Sequence, residues 1–223
     1  MSMRAADAHS FRSVIFDFDY TLADSSPGVI ECVNYALQKM GFAPCGPDAI
    51  RAMIGISLVE TYRRLSGDQS GGRFADFEQH FVERGDQVML QGITLLDSVR
   101  PVLEALLAGG ISLGIVSTKY RRRIEAVLER EGLDDAFAVV IGGEDVTAHK
   151  PDSSGLTAAV ARLGRAPGEV LYVGDSQVDA ETAESAGVRF VAVLSGVTPR
   201  EAFAAFKPRA IIDDLSFLPG LVL

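Results

Sequence analysis

Apolar residues along this chain fall into short continuous runs that alternate with stretches of helical spacing. The runs lie at residues 13–18, 111–117, 138–141, 170–173, 190–193 and 210–212. Strands that are covered on both faces have unbroken apolar runs of this kind, and their alternation with helical patterns is typical of a parallel sheet with crossover helices. The pattern predicts an α/β fold with a right-handed, doubly wound parallel sheet.

The stretch between the first two runs does not follow this alternation of strands and helices. Ser26 is predicted to cap a helix with Pro27 at its first position, and Gly41 is predicted to end it. Two further helical patterns follow, at about residues 58–65 and 74–89. We therefore expect residues 27–93 to form an all-helical domain, inserted into an α/β core of residues 1–26 and 94–223.

Five more helices are predicted between the later strands. Asp97 is expected to cap the first of them, and the others are expected at about residues 121–131, 153–163, 180–186 and 199–206. The basic run Arg121–Arg123 is interpreted as the solvated face of its helix, and Gly142–Gly143 as a turn.

The composition and charge restrict the classes of function. Of the 223 residues, 48% are hydrophobic and 23% are charged, which is typical of a folded domain, and the net charge is −9. This charge argues against general affinity for nucleic acid or an anionic membrane. An anionic ligand would therefore have to bind through local donors and a metal. Cys32 and Cys45 are too few for a disulfide framework and are expected to be free thiols.

The N-terminal segment and the hydropathy bear on location. Residues 1–13 contain several charged side chains and no apolar run, so they are not expected to form a secretory signal. No apolar stretch approaches the roughly 20 residues of a membrane span. A cytoplasmic protein is expected.

Carboxylates cluster at the predicted carboxyl ends of strands, where doubly wound sheets bind their ligands. Asp17 and Asp19 follow the first strand, Asp175 follows the fourth, and Asp179 lies one helical turn later. Each alone would more often end a strand or cap a turn. Together, the carboxylates of Asp17, Asp19 and Asp175 form an oxygen-rich site suited to Mg²⁺.

Hydroxyl and ammonium groups lie at two other points of the same predicted edge. Ser117 and Thr118 stand between a strand end and a helix start, a position that receives phosphate oxygens but that is also common for a simple helix cap. Lys150, before Pro151, is predicted to open the helix that leads into the fourth strand and can supply a point charge to a phosphate. His80 and His149 have no clear companions, so a Ser/His/Asp triad is not supported.

Four motifs in order along the chain make the sequence resemble the haloacid dehalogenase superfamily, most of whose members are phosphatases. The stretch from Asp17 to Leu22 fits the first motif, DxDx[TV][LV]. Ser117 or Thr118, in VSTK, fits the second, and Lys150, in HKP, the third. Residues 174–179 fit the fourth motif, GDxxxD. The resemblance implies a Rossmann-like core with a helical cap domain. Residues 24–28 and 53–55 resemble the phosphoglycolate phosphatases and related pyrophosphatases.

The resemblance also implies roles for the motif residues. Asp17 would be the nucleophile that forms an aspartyl-phosphate, and Asp19 the general acid and base. Mg²⁺ would be held by Asp17, the backbone carbonyl of Asp19, and Asp175, with Asp179 in or near the second coordination shell. Ser117, Thr118 and Lys150 would bind the transferring phosphate oxygens. The implied partner is a small phosphorylated metabolite, and the implied assembly a monomer or homodimer.

Several alternatives stay open within this resemblance. A pyrophosphatase and a sugar-phosphate mutase share the Asp pair, and a catalytically silent binding protein could share the fold. Dehalogenases lack the second Asp of the first motif, and phosphonate-cleaving members replace it and need a cap lysine; both are disfavoured here by Asp19. Tyr20 stands where most members have Gly, and we expect it to narrow the entrance or contact the substrate. Arg51, Ser57 and Arg63 are further candidate cap contacts, although each alone is more often an ordinary surface residue.

Overall fold

The computed structural model describes residues 11–223 and contains a six-stranded parallel sheet and a separate two-stranded ribbon, formed by β2 and β3. The strands in chain order are β1 (Ser13–Phe16), β2 (Ala23–Asp24), β3 (Thr94–Leu95), β4 (Ser112–Val116), β5 (Val139–Ile141), β6 (Val170–Gly174), β7 (Arg189–Val193) and β8 (Ala210–Ile212). The sheet has the order β5-β4-β1-β6-β7-β8 and every neighbouring pair is parallel. The predicted doubly wound α/β fold is confirmed. Most of the segment predicted not to be a secretory signal lies outside the described residues.

Nine α-helices connect and cover these strands within the described part of the chain. They are α1 (Ser26–Lys39), α2 (Pro47–Arg51), α3 (Leu58–Ser66), α4 (Phe74–Val88), α5 (Val99–Ala108), α6 (Arg121–Glu131), α7 (Ser154–Arg162), α8 (Gln177–Ala186) and α9 (Pro219–Val222). Among the described residues, no helix combines the length and the apolar character that a membrane crossing requires.

The sheet separates two apolar layers, and its strands contribute alternate side chains to them. Val14 and Phe16 of β1 pack in the layer with α5, α6 and the helices of residues 26–88, whereas Ile15 packs in the layer with α7 and α8. Tyr172 of β6 lies on the same side as Ile15. Because both faces are covered, nearly every position after the first residue of a strand is apolar, which explains the continuous runs in the sequence.

The helices α1–α4 form one group between β2 and β3. Helix α1 packs on α4, and the two short strands pair antiparallel, with Ala23 opposite Leu95. The chain therefore leaves the core and returns to it through one narrow ribbon. The exact domain bounds, 27–93 for the insert, stay a prediction.

Several local predictions were wrong in detail. The N-cap of α1 is Ser25, not Ser26, and it makes no side-chain capping bond; instead the Asp24 carboxylate accepts from the Ser26 backbone N–H at 2.8 Å. Helix α5 begins after Ser98 without a cap from Asp97. Residues Arg200–Phe206 form a 3₁₀-helix rather than an α-helix.

Lys150 was also predicted wrongly in its local structure. It does not open a helix: it precedes Pro151 in a turn with a cis peptide bond, and α7 begins only at Ser154. The helix α2 and the strands β2 and β3 were not predicted, because each is too short to show a period in the sequence.

Candidate active site

The site lies at the carboxyl end of β1, which has β4 on one side and β6 on the other. Asp17 directly follows the strand, and its backbone N–H donates to the carbonyl of Val173 at 2.9 Å. Its side chain is 1% exposed. The central strand thus carries Asp17 to the edge where neighbouring strands present their own polar residues.

Three carboxylates meet at this edge. One oxygen each of Asp17, Asp175 and Asp179 lies within 4.8 Å of the others, and all three residues are buried. Asp175 follows β6 directly, and the chain at Gly196 presses on it so closely that a Cβ there would lie 1.9 Å from its Oδ2. This tight contact fixes the Asp175 side chain from the β7 side of the sheet.

Lys150 supplies positive charge between two of these carboxylates. Its Nζ lies 2.9 Å from Asp17 Oδ1 and 2.6 Å from Asp179 Oδ1, and its side chain is 4% exposed. Burial lowers the pKa of Lys150, but Asp17 and Asp179 outweigh it and hold this pKa well above its usual value. The ammonium group therefore stays charged.

Asp179 is saturated by protein donors. Its Oδ1 accepts from Lys150 and from the Tyr172 hydroxyl, and its Oδ2 accepts from the backbone N–H and the hydroxyl of Ser176. The Tyr172 hydroxyl also accepts from Lys150 Nζ at 3.2 Å, and the Val116 carbonyl, 3.1 Å away on β4, is the alternative acceptor for its single proton. Tyr172 thus ties Lys150 and Asp179 to β4, a role that sequence reasoning missed because the residue reads as one more apolar strand position.

Asp17 is the opposite case, because neither of its buried carboxylate oxygens has a hydrogen-bond partner among the described residues. The Lys150 ammonium is close, but its direction does not form a hydrogen bond. Burial raises the pKa of Asp17 to about 6, and the charges of Asp179 and Asp19 add to that rise while Lys150 opposes it. Burial, followed by the charges of Asp179 and Asp17, also holds the pKa of Asp175 well above its usual value.

These properties fit a hard divalent cation. Unpaired carboxylate oxygens beside a second buried carboxylate are stabilised by a cation, which takes oxygen ligands and offsets the repulsion between like charges. Asp17 makes no hydrogen bond among the described residues and Asp175 accepts only a long one, from the Thr21 hydroxyl to its Oδ1 at 3.5 Å, whereas both oxygens of Asp179 are already bonded. The residues present therefore fit a divalent cation at Asp17 and Asp175.

Asp19 points to a different set of partners. It accepts from the Ser25 hydroxyl at 2.6 Å and from Lys119 Nζ at 2.9 Å, and its side chain is 8% exposed. Lys119 follows the serine and threonine of the second motif and was given no role from the sequence. The carboxylate of Asp19 is thus oriented by α1 on one side and by the loop after β4 on the other.

The two hydroxyl residues after β4 behave differently. Ser117 is buried at the strand end, and its hydroxyl accepts from the Lys119 backbone N–H. Thr118 donates to the carbonyl of Gly55 in the insert at 3.3 Å. Gly143 lets this loop pack closely, since a Cβ there would lie 2.4 Å from the Thr118 carbonyl oxygen.

Tyr20 has an unusual backbone conformation. Its φ is +60°, in the left-handed region that favours glycine, and its side chain is buried. A cavity lies between the insert and the sheet, lined on the core side by Asp19, Thr118 and Lys119, and Tyr20 does not line it. The same lining contains none of Arg51, Ser57 and Arg63; Arg51 pairs with Asp48, and Ser57 caps α3. The expectation that these cap residues contact the substrate is therefore unsupported by their positions.

The basic run was misinterpreted in part. Arg121 and Arg122 are exposed, but the Arg123 side chain is only 7% exposed and reaches α4 of the insert. No local pattern indicates this, because the groups that cover Arg123, at Val82 and Asp86, lie 41 and 37 residues earlier in the chain.

Comparison with known proteins identifies what this site is similar to. The model of the haloacid dehalogenase-like hydrolases matches residues 14–193. A phosphoglycolate phosphatase of Rhodobacter capsulatus is 34% identical over 94% of this chain and 96% of its own length. One from Yersinia pestis is 30% identical over 96% and 94%.

Two solved structures extend the comparison to the fold. An inferred haloacid dehalogenase-like hydrolase from Bacteroides fragilis is 43% identical, with a TM-score of 0.91 over 93% of this chain and 99% of the other. A predicted phosphoglycolate phosphatase from Haemophilus somnus is 26% identical, with a TM-score of 0.85 over 96% and 98%.

Proposed function

We propose a substrate and mechanism for this chain, which belongs to the haloacid dehalogenase-like hydrolase family and is a phosphoric monoester hydrolase. The proposal is a Mg²⁺-dependent phosphatase that acts on a small phosphate monoester, similar to phosphoglycolate, through an aspartyl-phosphate on Asp17. The observation that carries it is the buried Asp17 carboxylate, whose two oxygens are free of hydrogen bonds and lie beside Lys150 and Asp175.

In the first half of the reaction, an oxygen of Asp17 attacks the phosphorus and the ester P–O bond breaks. The leaving oxygen takes a proton from Asp19, which lies two residues along the same strand end. Lys150 and Ser117 bind the transferring oxygens, and the backbone N–H groups after β4 assist them, with Thr118 in the same loop. Asp17, the Asp19 carbonyl and Asp175 would hold Mg²⁺, which would supply neutralisation of the charge on those oxygens.

In the second half, Asp19 takes a proton from a water molecule, whose oxygen attacks the phosphorus. The bond between Asp17 and phosphorus then breaks and inorganic phosphate leaves. Asp179 orients Lys150 throughout, because its own oxygens are saturated. Lys119 holds the Asp19 carboxylate, and the insert excludes bulk water.

The test is hydrolysis of p-nitrophenyl phosphate and phosphoglycolate with and without Mg²⁺. We expect metal-dependent turnover that Asp17→Asn reduces by at least about 1,000-fold and Asp19→Asn by roughly 100- to 10,000-fold. Asp48→Asn is the control, because that carboxylate is 96% exposed and far along the insert. Intact-protein mass spectrometry of Asp19→Asn should show one added phosphoryl group.

Three results would contradict the proposal. A protein with no metal-dependent turnover of any phosphate ester would be catalytically silent. An Asp17→Asn variant that keeps the full rate would exclude Asp17 as the nucleophile. Transfer of the phosphoryl group to a sugar phosphate, in place of water, would identify a mutase.

A further inference from the structure

Two buried lysines flank the end of β1, and they pair with different carboxylates. Lys150 lies beside Asp17 and Asp179. The Lys119 ammonium lies 2.9 Å from Asp19 Oδ1 and 3.3 Å from Oδ2, and its side chain is 5% exposed. A buried ammonium is costly unless it is paired. In the part of the chain that the structure describes, Lys119 is the sole cation within ion-pair distance of Asp19.

The Asp19 carboxylate is oriented from two directions. The Ser25 hydroxyl donates to Oδ1 at 2.6 Å, while Lys119 donates to both oxygens. Ser25 is completely buried and, although it is the N-cap residue of α1, its side chain makes no capping bond with that helix. Among the described residues, the bond to Asp19 is thus the only hydrogen bond of this hydroxyl.

The loop after β4 fixes the backbone of Lys119. The Lys119 N–H donates to the Ser117 hydroxyl at 3.3 Å, and the Lys119 carbonyl accepts from the Gly143 N–H at 3.0 Å. A Cβ at Gly142 would lie 2.2 Å from the Arg121 backbone nitrogen, so the loops after β4 and β5 pack backbone against backbone. Lys119 therefore starts from a fixed point when it reaches Asp19.

The two lysines lie on different sides of the site. Asp19 and Lys119 line the cavity between the insert and the sheet, whereas neither Asp17 nor Lys150 lines it. Under the proposed function the phosphate lies at Asp17 and Lys150, so this cavity is the space for the leaving group. The pair of Asp19 and Lys119 therefore faces the oxygen that receives a proton when the ester bond breaks.

We infer that Lys119 is a positioning residue for proton transfer, which holds the Asp19 carboxylate towards the leaving oxygen and does not bind the transferring phosphate oxygens. Asp19 gives its proton to the leaving oxygen and later takes one from water, while Lys119 keeps its own protons throughout. The two buried lysines are thus divided between proton transfer, at Lys119, and phosphate binding, at Lys150. This inference rests on the proposed phosphatase function.

The test compares ethyl phosphate with acetyl phosphate, which are similar in size. Ethoxide needs a proton as it leaves, whereas acetate leaves without one. In Lys119→Met, we expect kcat/KM for ethyl phosphate to fall roughly 10- to 100-fold, while kcat/KM for acetyl phosphate stays within about threefold of the wild-type value. This ratio reports the steps up to the first bond cleavage and not the later hydrolysis of the aspartyl-phosphate.

Three further variants separate proton transfer from phosphate binding. Asp19→Asn should show the same selectivity with a larger loss, and adding Lys119→Met to it should lower ethyl phosphate hydrolysis by no more than about twofold. Lys150→Met should reduce kcat/KM for both substrates alike, because both contain the same phosphate. Lys39→Met is the matched control, since this exposed lysine of α1 lies outside the site; it should change neither value.

Ser25→Ala covers the case in which Lys119→Met does not fold. It removes the second donor to Asp19 and leaves the ion pair with Lys119 in place. We expect the same selectivity with a smaller loss, about three- to tenfold in kcat/KM for ethyl phosphate, because a single hydrogen bond is removed.

Equal losses for both substrates in Lys119→Met and Ser25→Ala would overturn the inference and assign the two side chains to holding the fold. Unchanged kinetics for both substrates would overturn it too, as would a further large loss when Lys119→Met is added to Asp19→Asn. Failure of the proposed function looks different: the wild-type protein would hydrolyse neither substrate, or Asp19→Asn would leave the ratio between the two unchanged.

Discussion

Asp17 combines deep burial with a carboxylate that is met only by the Lys150 ammonium, 2.9 Å from its Oδ1, and that makes no hydrogen bond among the described residues. Its pKa of about 6 means that the proton is retained at a pH where most aspartates are ionised. A carboxyl whose pKa is raised by folding favours the folded state below its ordinary pKa of 3.8, and this contribution is lost as the pH rises through 6. A bound cation would offset that loss.

We therefore predict that Mg²⁺ stabilises the protein more at pH 8 than at pH 5. At pH 5 about nine-tenths of Asp17 would carry a proton that the metal must displace, and the pKa of Asp175 is raised as well, so the apparent affinity should fall at least about tenfold. Thermal unfolding with increasing MgCl₂ at the two pH values measures this. Asp17→Asn should lose most of the Mg²⁺-dependent shift; an equal shift at both pH values would contradict the argument.

Tyr20 gives a second prediction at this scale, because its left-handed backbone is strained for any residue with a Cβ. Removing the buried ring destabilises both Tyr20→Ala and Tyr20→Gly, but only the glycine relieves the backbone. We expect Tyr20→Gly to be more stable than Tyr20→Ala by about 1 kcal/mol in urea unfolding. If Tyr20→Ala were instead more stable than Tyr20→Gly, the left-handed backbone at this position would not be strained.

The positions of some active-site residues can be predicted from the sequence, and those of others cannot. Asp17, Asp19 and Asp175 could be placed because they directly follow apolar strands, whose carboxyl ends share one edge. The partners of Lys119 and Arg123 could not, since Asp19 lies 100 residues from Lys119 and Asp86 lies 37 residues from Arg123. Their contacts depend on how the insert packs on the core, which no local pattern encodes.

At the scale of elements, long periodic segments were predictable and short ones were not. The six sheet strands and the helices α1, α4 and α6 have enough apolar positions to show their period. By contrast, β2 and β3 have two residues each, and their pairing depends on contacts between distant parts of the chain. The 3₁₀-helix at Arg200–Phe206 has the spacing of an α-helix in sequence but differs in its hydrogen bonds.

Helix α8 offers a test of capping at the active site. The Ser176 hydroxyl accepts from the Asp179 backbone N–H and donates to the Asp179 carboxylate, so it serves both the helix and the site. We predict that Ser176→Ala lowers the free energy of unfolding by about 1–2 kcal/mol, measured in urea. Ser153→Ala is the matched control, because Ser153 is the N-cap of α7 without a side-chain bond; a similar loss there would refute the capping argument.

At the scale of the whole molecule, the insert and the core meet through polar contacts around α6. Tyr120 donates to Glu78 at 2.6 Å, and Arg122 and Arg123 both reach Asp86. The carboxylate of Asp86 is half exposed, so its ion pairs are partly screened by solvent. Such contacts are weak enough to be broken and remade during turnover.

We predict that the double variant Glu78→Gln/Asp86→Asn loosens the insert alone. Amide hydrogen exchange should become faster in α4 and stay unchanged in β1 and β6, and 0.5 M salt should weaken the same contacts in the wild-type protein. If amide exchange in β1 and β6 becomes faster to the same extent, the insert and the core unfold as one cooperative unit. The predicted division at residues 27–93 would then be wrong.

The pairing of β2 with β3 has a consequence for chain entropy. Since Asp24 lies opposite Thr94, the whole insert occupies the place of the turn in a β-hairpin. The entropy lost on closing a loop grows only with the logarithm of its length, about 0.6 kcal/mol for each doubling. Expanding a tight turn into four helices at this point therefore costs a few kcal/mol of closure entropy, which the insert's own apolar packing can offset.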